Sequence, residues 1–98
     1  MNIEFLEVAV AELDDAFEYY EDIYQGLGSR FIEELELTVT RITVNPMAWQ
    51  KAGSFTHRCL LHRFPYSVVY QIRQDSILVV AIACTHQKPN YWIGRLEN

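Results

Sequence analysis

Hydrophobic residues recur at helical spacing through the first half of the chain. From Val8 to Tyr24 they fall on one face of a helix, and acidic residues occupy the opposite face. A turn containing two glycines, residues 25–28, separates this segment from a second apolar stripe over Phe31–Val44. Asn45-Pro46 ends the second stripe, because a proline pushes the preceding residue out of the helical region. The two stripes therefore predict a hairpin of antiparallel helices.

In the second half of the chain, the hydrophobic pattern becomes one that is typical of strands. His57–Phe64 and Tyr66–Arg73 are two strand-like runs around Pro65, and Ile77–Thr85 is a third, nearly continuous apolar run. The third run is so rich in β-branched residues that we expect a central strand covered on both faces. A short alternating segment at the start of the chain, Asn2–Leu6, predicts one more strand.

The remaining segments are predicted to be loops, turns or a short terminal element. The turns are Gln74–Ser76 and His86–Asn90, Met47–Thr56 is a loop with a turn at Gly53-Ser54, and Tyr91–Leu96 is a short helix or tail. The order β-α-α-β-β-β favours an α+β fold, in which a helical hairpin packs on one face of an antiparallel sheet and a short C-terminal helix follows. The residues that we expect to be buried are Leu13, Phe17, Phe31, Leu35, Val39, Val80 and Ile82.

Length and composition add expectations about the class of protein. A chain of 98 residues, 50% hydrophobic and without an internal repeat or linker, predicts one domain over residues 1–98. We expect no membrane-spanning segment, because no apolar run approaches 18 residues, and the start of the chain has no basic region typical of a secretory signal. These features favour a cytoplasmic protein, in which Cys59 and Cys84 would be reduced and buried.

Charge divides the chain into two halves of opposite sign. Residues 1–50 contain eleven acidic side chains against two arginines, a net charge of −9, whereas residues 51–98 contain six basic side chains against two acidic ones, a net charge of +4. A protein that binds nucleic acid without regard to sequence is usually basic throughout, so direct nucleic-acid binding is not expected. The three histidines and two cysteines show no spacing typical of metal ligands, and we expect neither a metal nor a cofactor.

Several short motifs occur in the order and at the distances found in the ParE/RelE toxins. They are Tyr19-Tyr20, Gly26-Leu27-Gly28 with Phe31, Asn45-Pro46, Arg58, Arg63-Phe64-Pro65-Tyr66, Val69-Tyr70, Ala81-Ile82-Ala83, His86, and the ending Pro89, Tyr91-Trp92 and Arg95. The chain thus resembles the ParE/RelE toxin superfamily over essentially its whole length. The resemblance implies the β-α-α-β-β-β topology and an antitoxin partner that lies across the toxin surface.

Members of the superfamily act either by cleaving RNA or by binding a target, so the expected mechanism depends on the branch that the chain resembles. The ribonuclease members cleave messenger RNA on the ribosome, which requires proton-transfer groups and cations around the scissile phosphate. The positions that resemble theirs hold Leu60, His62, Ser67 and Gln87, so the basic constellation is largely missing and we assign no catalytic residue. The ParE-like branch is associated with inhibition of DNA gyrase by binding, and Phe64-Pro65-Tyr66 and the Tyr91–Arg95 ending resemble that branch more closely.

The sequence therefore favours a toxin that binds and inhibits DNA gyrase and is neutralised by a cognate antitoxin. Two alternatives remain open at this point. The first is an mRNA interferase that uses a reduced or alternative site, for example His62 and His86 with Arg58 and Arg63. The second is a degenerate family member that keeps the fold and the antitoxin but has lost toxicity.

Six residues are candidates for contact with the target or the antitoxin: Arg58, Arg63, His86, Tyr91, Trp92 and Arg95. Arg58 and Arg63 differ by five positions and would face opposite sides of an ideal strand. Three of the candidates also have a structural interpretation, since Arg63 could pair with a carboxylate of the chain, His86 could shape a turn and Trp92 could pack back on the sheet. We expect the antitoxin to supply acidic side chains to Arg58, Arg63 or Arg95, and apolar ones to the sheet and the helical hairpin.

Overall fold

Two helices and a five-stranded sheet make up the computed structural model, which describes residues 1–88 and 90–96. The helices are α1 (Glu7–Ile23) and α2 (Leu27–Val44), the strands are β1 (Asn2–Phe5), β2 (Gln50–Lys51), β3 (His57–Leu60), β4 (Tyr66–Ile72) and β5 (Ser76–Cys84), and 3-10 turns cover Pro46–Ala48 and Ile93–Leu96. The predicted α+β fold is confirmed. Pro89, which belongs to the predicted turn after the last strand, lies outside the described residues. Neither helix in this part of the chain is long and apolar enough to cross a membrane.

The sheet is mixed, with strand order β1-β5-β4-β3-β2. Strands β3, β4 and β5 pair antiparallel, as the sequence predicted. Strand β1 differs, because it lies parallel to β5, with Ile3 opposite Ile77. Both helices and three strands separate β1 from β5 along the chain, so no tight turn joins them and the pair is free to be parallel. Strand β2 has only two residues, which is too short to show a hydrophobic pattern, and the sequence predicted a loop there.

The helices cover one face of the sheet and form the main core with it. Phe31 is 0% exposed, and its ring lies 5.4 Å from that of Tyr20, 5.3 Å from that of Phe64 and 5.2 Å from that of Tyr66. Seven further buried residues of the sheet side belong to the same cluster: Cys59, Leu61, Val68, Tyr70, Ile77, Val79 and Ile82. This cluster joins the start of α2 to the hairpin between β3 and β4.

Four of the seven residues predicted to be buried are so: Phe31, Leu35, Val80 and Ile82. The prediction is wrong for Leu13, Phe17 and Val39, which are half-buried. Leu13 and Val39 line an open cleft between the helices and β1, so part of each side chain stays accessible. Phe17 lies at the edge of the contact between α1 and α2.

The two cysteines differ in burial. Cys59 is buried in the main core, as expected, and both thiols are free. Cys84 is half-exposed, so the prediction of burial is wrong for this residue. The physical reason is its position, because Cys84 is the last residue of β5 and lies where the covered part of the strand ends.

The turn between the helices depends on glycine backbone groups and a carboxylate. Glu21, near the end of α1, accepts hydrogen bonds from the N–H groups of Gly26 and Gly28, both at 3.0 Å. A carboxylate placed at the start of a helix satisfies N–H groups that lack partners within the helix and stabilises its positive end. A side chain at Gly28 would collide with the carbonyl oxygen of Phe17, since its Cβ would lie 2.8 Å away. This arrangement begins α2 at Leu27, four residues before the predicted start.

Candidate functional site

The second face of the sheet, opposite the helices, contains an open groove of about 430 Å³. Alternation along β3 and β4 places Arg58 opposite Val69 and Leu60 opposite Ser67 on the groove floor. The remaining lining residues come from the end of β5 and the segments that follow it: Ala83, Cys84, Thr85, Gln87, Lys88, Tyr91 and Trp92. The groove therefore contains three of the six residues singled out from the sequence, namely Arg58, Tyr91 and Trp92.

Arg58 is the cation in the floor of the groove. Its Nε and Nη2 atoms each lie 3.4 Å from Oε1 of Gln50, a long contact that holds the guanidinium in place without neutralising it. Within residues 1–88 and 90–96 no carboxylate forms a salt bridge with Arg58. Leu60, two residues along the same strand, is 53% exposed. A charged group with an exposed leucine beside it is suited to contact with another protein.

Trp92 belongs to the C-terminal segment and lines the groove. The residue is 4% exposed and packs on a cluster that contains Val69, Val80 and Ala83. Its Nε1 atom is buried and has no hydrogen-bond partner among the described residues. Of the two roles that the sequence left open for Trp92, the structure places the side chain in packing on the sheet.

A β-bulge in β5 lies where the C-terminal segment contacts the sheet. Val69 lies opposite Ala81 and Tyr70 lies opposite Val79, so Val80 is an extra residue in β5. Strand β1 ends before the bulge. The last backbone hydrogen bond between this part of the chain and β5 joins the N–H of Leu6 to the carbonyl of Val79 at 3.0 Å. On the side of β1, the backbone groups of β5 beyond Val79 are consequently open to side chains, whereas on the other side they pair with β4.

Glu12 of α1 binds that open stretch and the C-terminal segment together. Its carboxylate accepts hydrogen bonds from the N–H of Ile82 at 3.1 Å, from the hydroxyl of Tyr91 at 2.7 Å and from both terminal nitrogens of Arg95 at 2.8 and 3.0 Å. Arg95 also donates to the carbonyl of Val80 at 3.0 Å, and its guanidinium lies 5.0 Å above the ring of Tyr91. We call Glu12, Tyr91 and Arg95 the Glu12 clasp.

The clasp raises the pKa values of Tyr91 and Arg95. Burial raises the pKa of Tyr91 well above its usual value, and the hydrogen bond to Glu12 and the charge of Glu12 raise it further. The hydrogen bond with Glu12 is also the main reason that the pKa of Arg95 is raised, although burial opposes it. At neutral pH Tyr91 therefore stays protonated and Arg95 stays charged, and neither is suited to transfer a proton.

Arg63 and His62 lie in the turn between β3 and β4, beside α2 and away from the groove. Arg63 has a φ of 70° and borders a surface that also contains Leu27, Arg30 and Phe64. It does not share a surface with Arg58, because β3 ends at Leu60 and Arg63 lies in the turn that follows. Nδ1 of His62 lies 3.3 Å from Nη2 of Arg41.

Glu34 of α2 binds the turn between β3 and β4. Its Oε2 atom accepts the N–H of His62 at 3.2 Å and pairs with Arg41 at 3.3 Å. Burial acts to raise the pKa of Glu34, but the hydrogen bonds from Arg41 and His62, together with their charges, outweigh burial and lower the pKa. Glu34 thereby anchors the turn to α2, and His62 lies outside the lining of the groove that contains Arg58.

His86 is exposed and belongs to the turn after β5, outside the groove lining. The structure therefore does not bring the two histidines to the arginine of the groove. Glu12 is the residue that sequence reasoning missed. It is one of several acidic residues on α1, and nothing in the pattern distinguishes it from those that face solvent.

Comparison with known proteins agrees with this architecture. No curated protein sequence matches the chain. A solved structure described as the chromosomal ParDE TA system from P. aeruginosa is similar in fold, with a TM-score of 0.74 and 16% sequence identity over 86% of this chain and 95% of that chain. The model of a protein family described as the ParE toxin of the type II toxin–antitoxin system parDE matches residues 3–89. The chain therefore belongs to the ParE toxin family of type II toxin–antitoxin systems.

Proposed function

We propose that this protein is a toxin that acts in the cytoplasm by binding DNA gyrase and is neutralised by binding a cognate antitoxin. Its family supports the role of toxin. The choice of binding over chemistry depends on the composition of the groove on the second face of the sheet. The observation that carries the proposal is that this groove combines Arg58 with the exposed Leu60 and that, among the described residues, its lining contains neither a histidine nor a carboxylate.

Cleavage of RNA would require a base for the 2′-hydroxyl, an acid for the leaving oxygen and cations near the phosphate. Among the described residues of the groove lining, the cations are Arg58 and Lys88, and none is a histidine. The hydroxyl of Tyr91 is engaged with Glu12, and the raised pKa of Tyr91 keeps it protonated. Leu60, Ser67 and Gln87 supply neither charge nor a base at neutral pH.

The antitoxin is expected to use arginines that form no salt bridge within residues 1–88 and 90–96. Arg95 is bound to Glu12, so its charge is satisfied internally. Arg58 and Arg63, on two different surfaces, remain available to acidic side chains of a partner. A partner that covers both surfaces must pass around the hairpin between β3 and β4, which agrees with the expectation of an antitoxin that lies across the toxin.

Expression of the chain in a bacterium without the antitoxin tests the proposal. We expect arrest of growth with a DNA damage response and with continued translation. Arg58→Glu should relieve the arrest, because reversal of a charge at a protein contact weakens binding by about tenfold or more. Arg73→Glu is the matched control, since Arg73 is exposed in the turn after β4 and, within the described part of the chain, its side chain bonds Gln71 through Nε at 2.9 Å.

The outcome is scored at equal protein levels, measured by immunoblot. Arrest of translation without DNA damage would contradict the gyrase target. Full toxicity of Arg58→Glu would show that the groove is not part of the surface that binds the target. Absence of any growth defect in the wild-type chain would favour a family member that has lost toxicity.

A further inference from the structure

The end of α1 carries large apolar side chains that the fold leaves exposed. Tyr19, Ile23 and Tyr24 are each between 59% and 64% exposed. Tyr19 and Ile23 are four residues apart and therefore share one face of the helix, and Tyr24 is the residue that ends it. We call these three residues the α1 patch. A contiguous group of exposed apolar side chains on a small domain indicates a surface that contacts another protein.

Acidic side chains surround the α1 patch. Asp15 lies four residues before Tyr19 and Asp22 three residues after it, so both are near Tyr19 on the helix surface, and both are exposed. Glu18 is exposed beside them. Helix α1 contains no lysine or arginine. The α1 patch thus combines aromatic rings with negative charge.

The groove on the second face of the sheet has the complementary character. Its lining contains Arg58 and Lys88 and, among the described residues, no carboxylate. Neither cation forms a salt bridge within residues 1–88 and 90–96. Leu60 adds an exposed apolar side chain on the floor of the groove. The groove therefore suits a ligand that brings carboxylates together with aromatic rings.

The α1 patch and the groove are neighbours around the end of β5. Tyr19 and Asp15 border a depression whose lining also includes Cys84 and Gln87, and the same two residues line the groove. Two copies of the chain related by a two-fold axis can therefore form the contact twice, from patch to groove and from groove to patch. The doubling matters because one such contact is small, whereas a stable interface buries about 800 Å² on each partner.

The charges of the two halves of the chain determine how copies can pack. Residues 1–50 carry a net charge of −9 and residues 51–98 a net charge of +4. Contact between the helices of two copies would oppose acidic surfaces, which is unfavourable. Contact between the helices of one copy and the groove of the other opposes charges of different sign, which is favourable.

We propose that the chain forms a two-fold dimer in which the α1 patch of each copy occupies the groove of the other. The aspartates beside the patch would meet Arg58 and Lys88 of the second copy, and Tyr19 would contact its Leu60. The inference depends on the composition of the two surfaces and on their position around the end of β5. It does not depend on the proposed function.

Sedimentation velocity of the purified chain tests the dimer. We expect conversion from monomer to dimer with a dissociation constant on the order of 10–100 µM, because each contact is small and exposed to solvent. Arg58→Glu, and separately Asp15→Lys combined with Asp22→Lys, should weaken the association at least about tenfold, since each opposes like charges. Arg73→Glu and Glu36→Lys are the matched controls and should leave it unchanged, because both residues are exposed outside the patch and the groove.

A mixture of the two weakened variants provides the sharpest comparison. In a mixed dimer one contact is that of the wild-type chain, and in the other the charges at residues 15, 22 and 58 are all reversed. The repulsion that each variant meets on its own is thereby largely removed. We expect the equimolar mixture to sediment as a dimer at concentrations where each variant alone is a monomer, with circular dichroism showing that both are folded.

A wild-type chain that stays monomeric up to about 500 µM would overturn the proposal. So would an association that Arg58→Glu leaves unchanged, two variants that stay monomeric when mixed, or growth beyond a dimer. Tyr19→Ser should also weaken the dimer about tenfold without any change of charge, and an unaltered dimer in that variant would exclude the α1 patch from the interface.

These outcomes are separate from those that test the proposed function. A chain that dimerises as predicted but causes no growth arrest would keep the dimer and reject the toxin activity. A toxic chain that stays monomeric would reject the dimer and leave the activity intact.

Discussion

Glu12→Ala is expected to lower the free energy of unfolding by about 2–3 kcal/mol. The change leaves the guanidinium of Arg95, whose side chain is 19% exposed, without its carboxylate. It also removes the acceptor of the Ile82 N–H and of the Tyr91 hydroxyl. The effect is smaller than for a fully buried ion pair, because water reaches part of both side chains. Urea unfolding of the two proteins measures the difference.

Glu18→Ala is the matched control, because Glu18 is an exposed glutamate of the same helix, and we expect a change within about 0.5 kcal/mol. Combination of Glu12→Ala with Arg95→Ala should cost less than the sum of the two single changes, since both remove the same interaction. Equal stability of Glu12→Ala and Glu18→Ala would show that the clasp does not hold the C-terminal segment on the sheet.

Phe31→Ala is expected to destabilise the protein more, by about 3–5 kcal/mol. Phe31 is fully buried and contacts three aromatic rings that come from α1, from the turn after β3 and from β4. Its loss would leave a cavity at the point where the helices meet the sheet, because surrounding rings relax only partly into such a space. Thermal or urea unfolding, followed by tryptophan fluorescence and by circular dichroism, measures the effect.

Leu37→Ala provides the comparison, because Leu37 lies on the same helix and is 55% exposed. We expect this substitution to cost less than about 1 kcal/mol. If the two substitutions were equally destabilising, the aromatic cluster around Phe31 would not be the centre of the core.

The sequence predicted the elements that depend on a regular pattern. The stripes of α1 and α2 and the apolar run of β5 are long enough for their period to identify them. Element boundaries were less well predicted, and α2 begins at Leu27 because Glu21 satisfies backbone groups of the turn before it. That contact joins residues on two elements, and no local pattern indicates it.

Burial was overestimated where the fold leaves a face uncovered. Leu13 and Val39 have the spacing of core residues, but spacing does not tell how far the sheet extends over a helix. The parallel pairing of β1 with β5 is likewise a property of the whole topology. The sequence could not place it, because β1 is short and alternates like any edge strand.

The structure places the candidate residues of the sequence on different surfaces. Arg58, Tyr91 and Trp92 line one groove, whereas Arg63 and His86 lie elsewhere and Arg95 is paired with Glu12. The pairing of residues 12 and 95 spans almost the whole chain, and only the bulge at Val80 and the end of β1 bring them together. Long-range pairs of this kind are formed by the fold and have no signature in a single sequence.

Binding without RNA cleavage is the central claim, and one paired assay on a single purified sample tests it most directly. The sample is added to DNA gyrase in a supercoiling reaction and to translating ribosomes with a defined messenger RNA. We predict that supercoiling is inhibited in proportion to the concentration of the chain and that the messenger RNA stays intact, because the described lining of the groove contains neither a histidine nor a carboxylate for proton transfer. Cleavage of the messenger RNA that His62→Ala or His86→Ala abolishes, with supercoiling unaffected, would contradict the account.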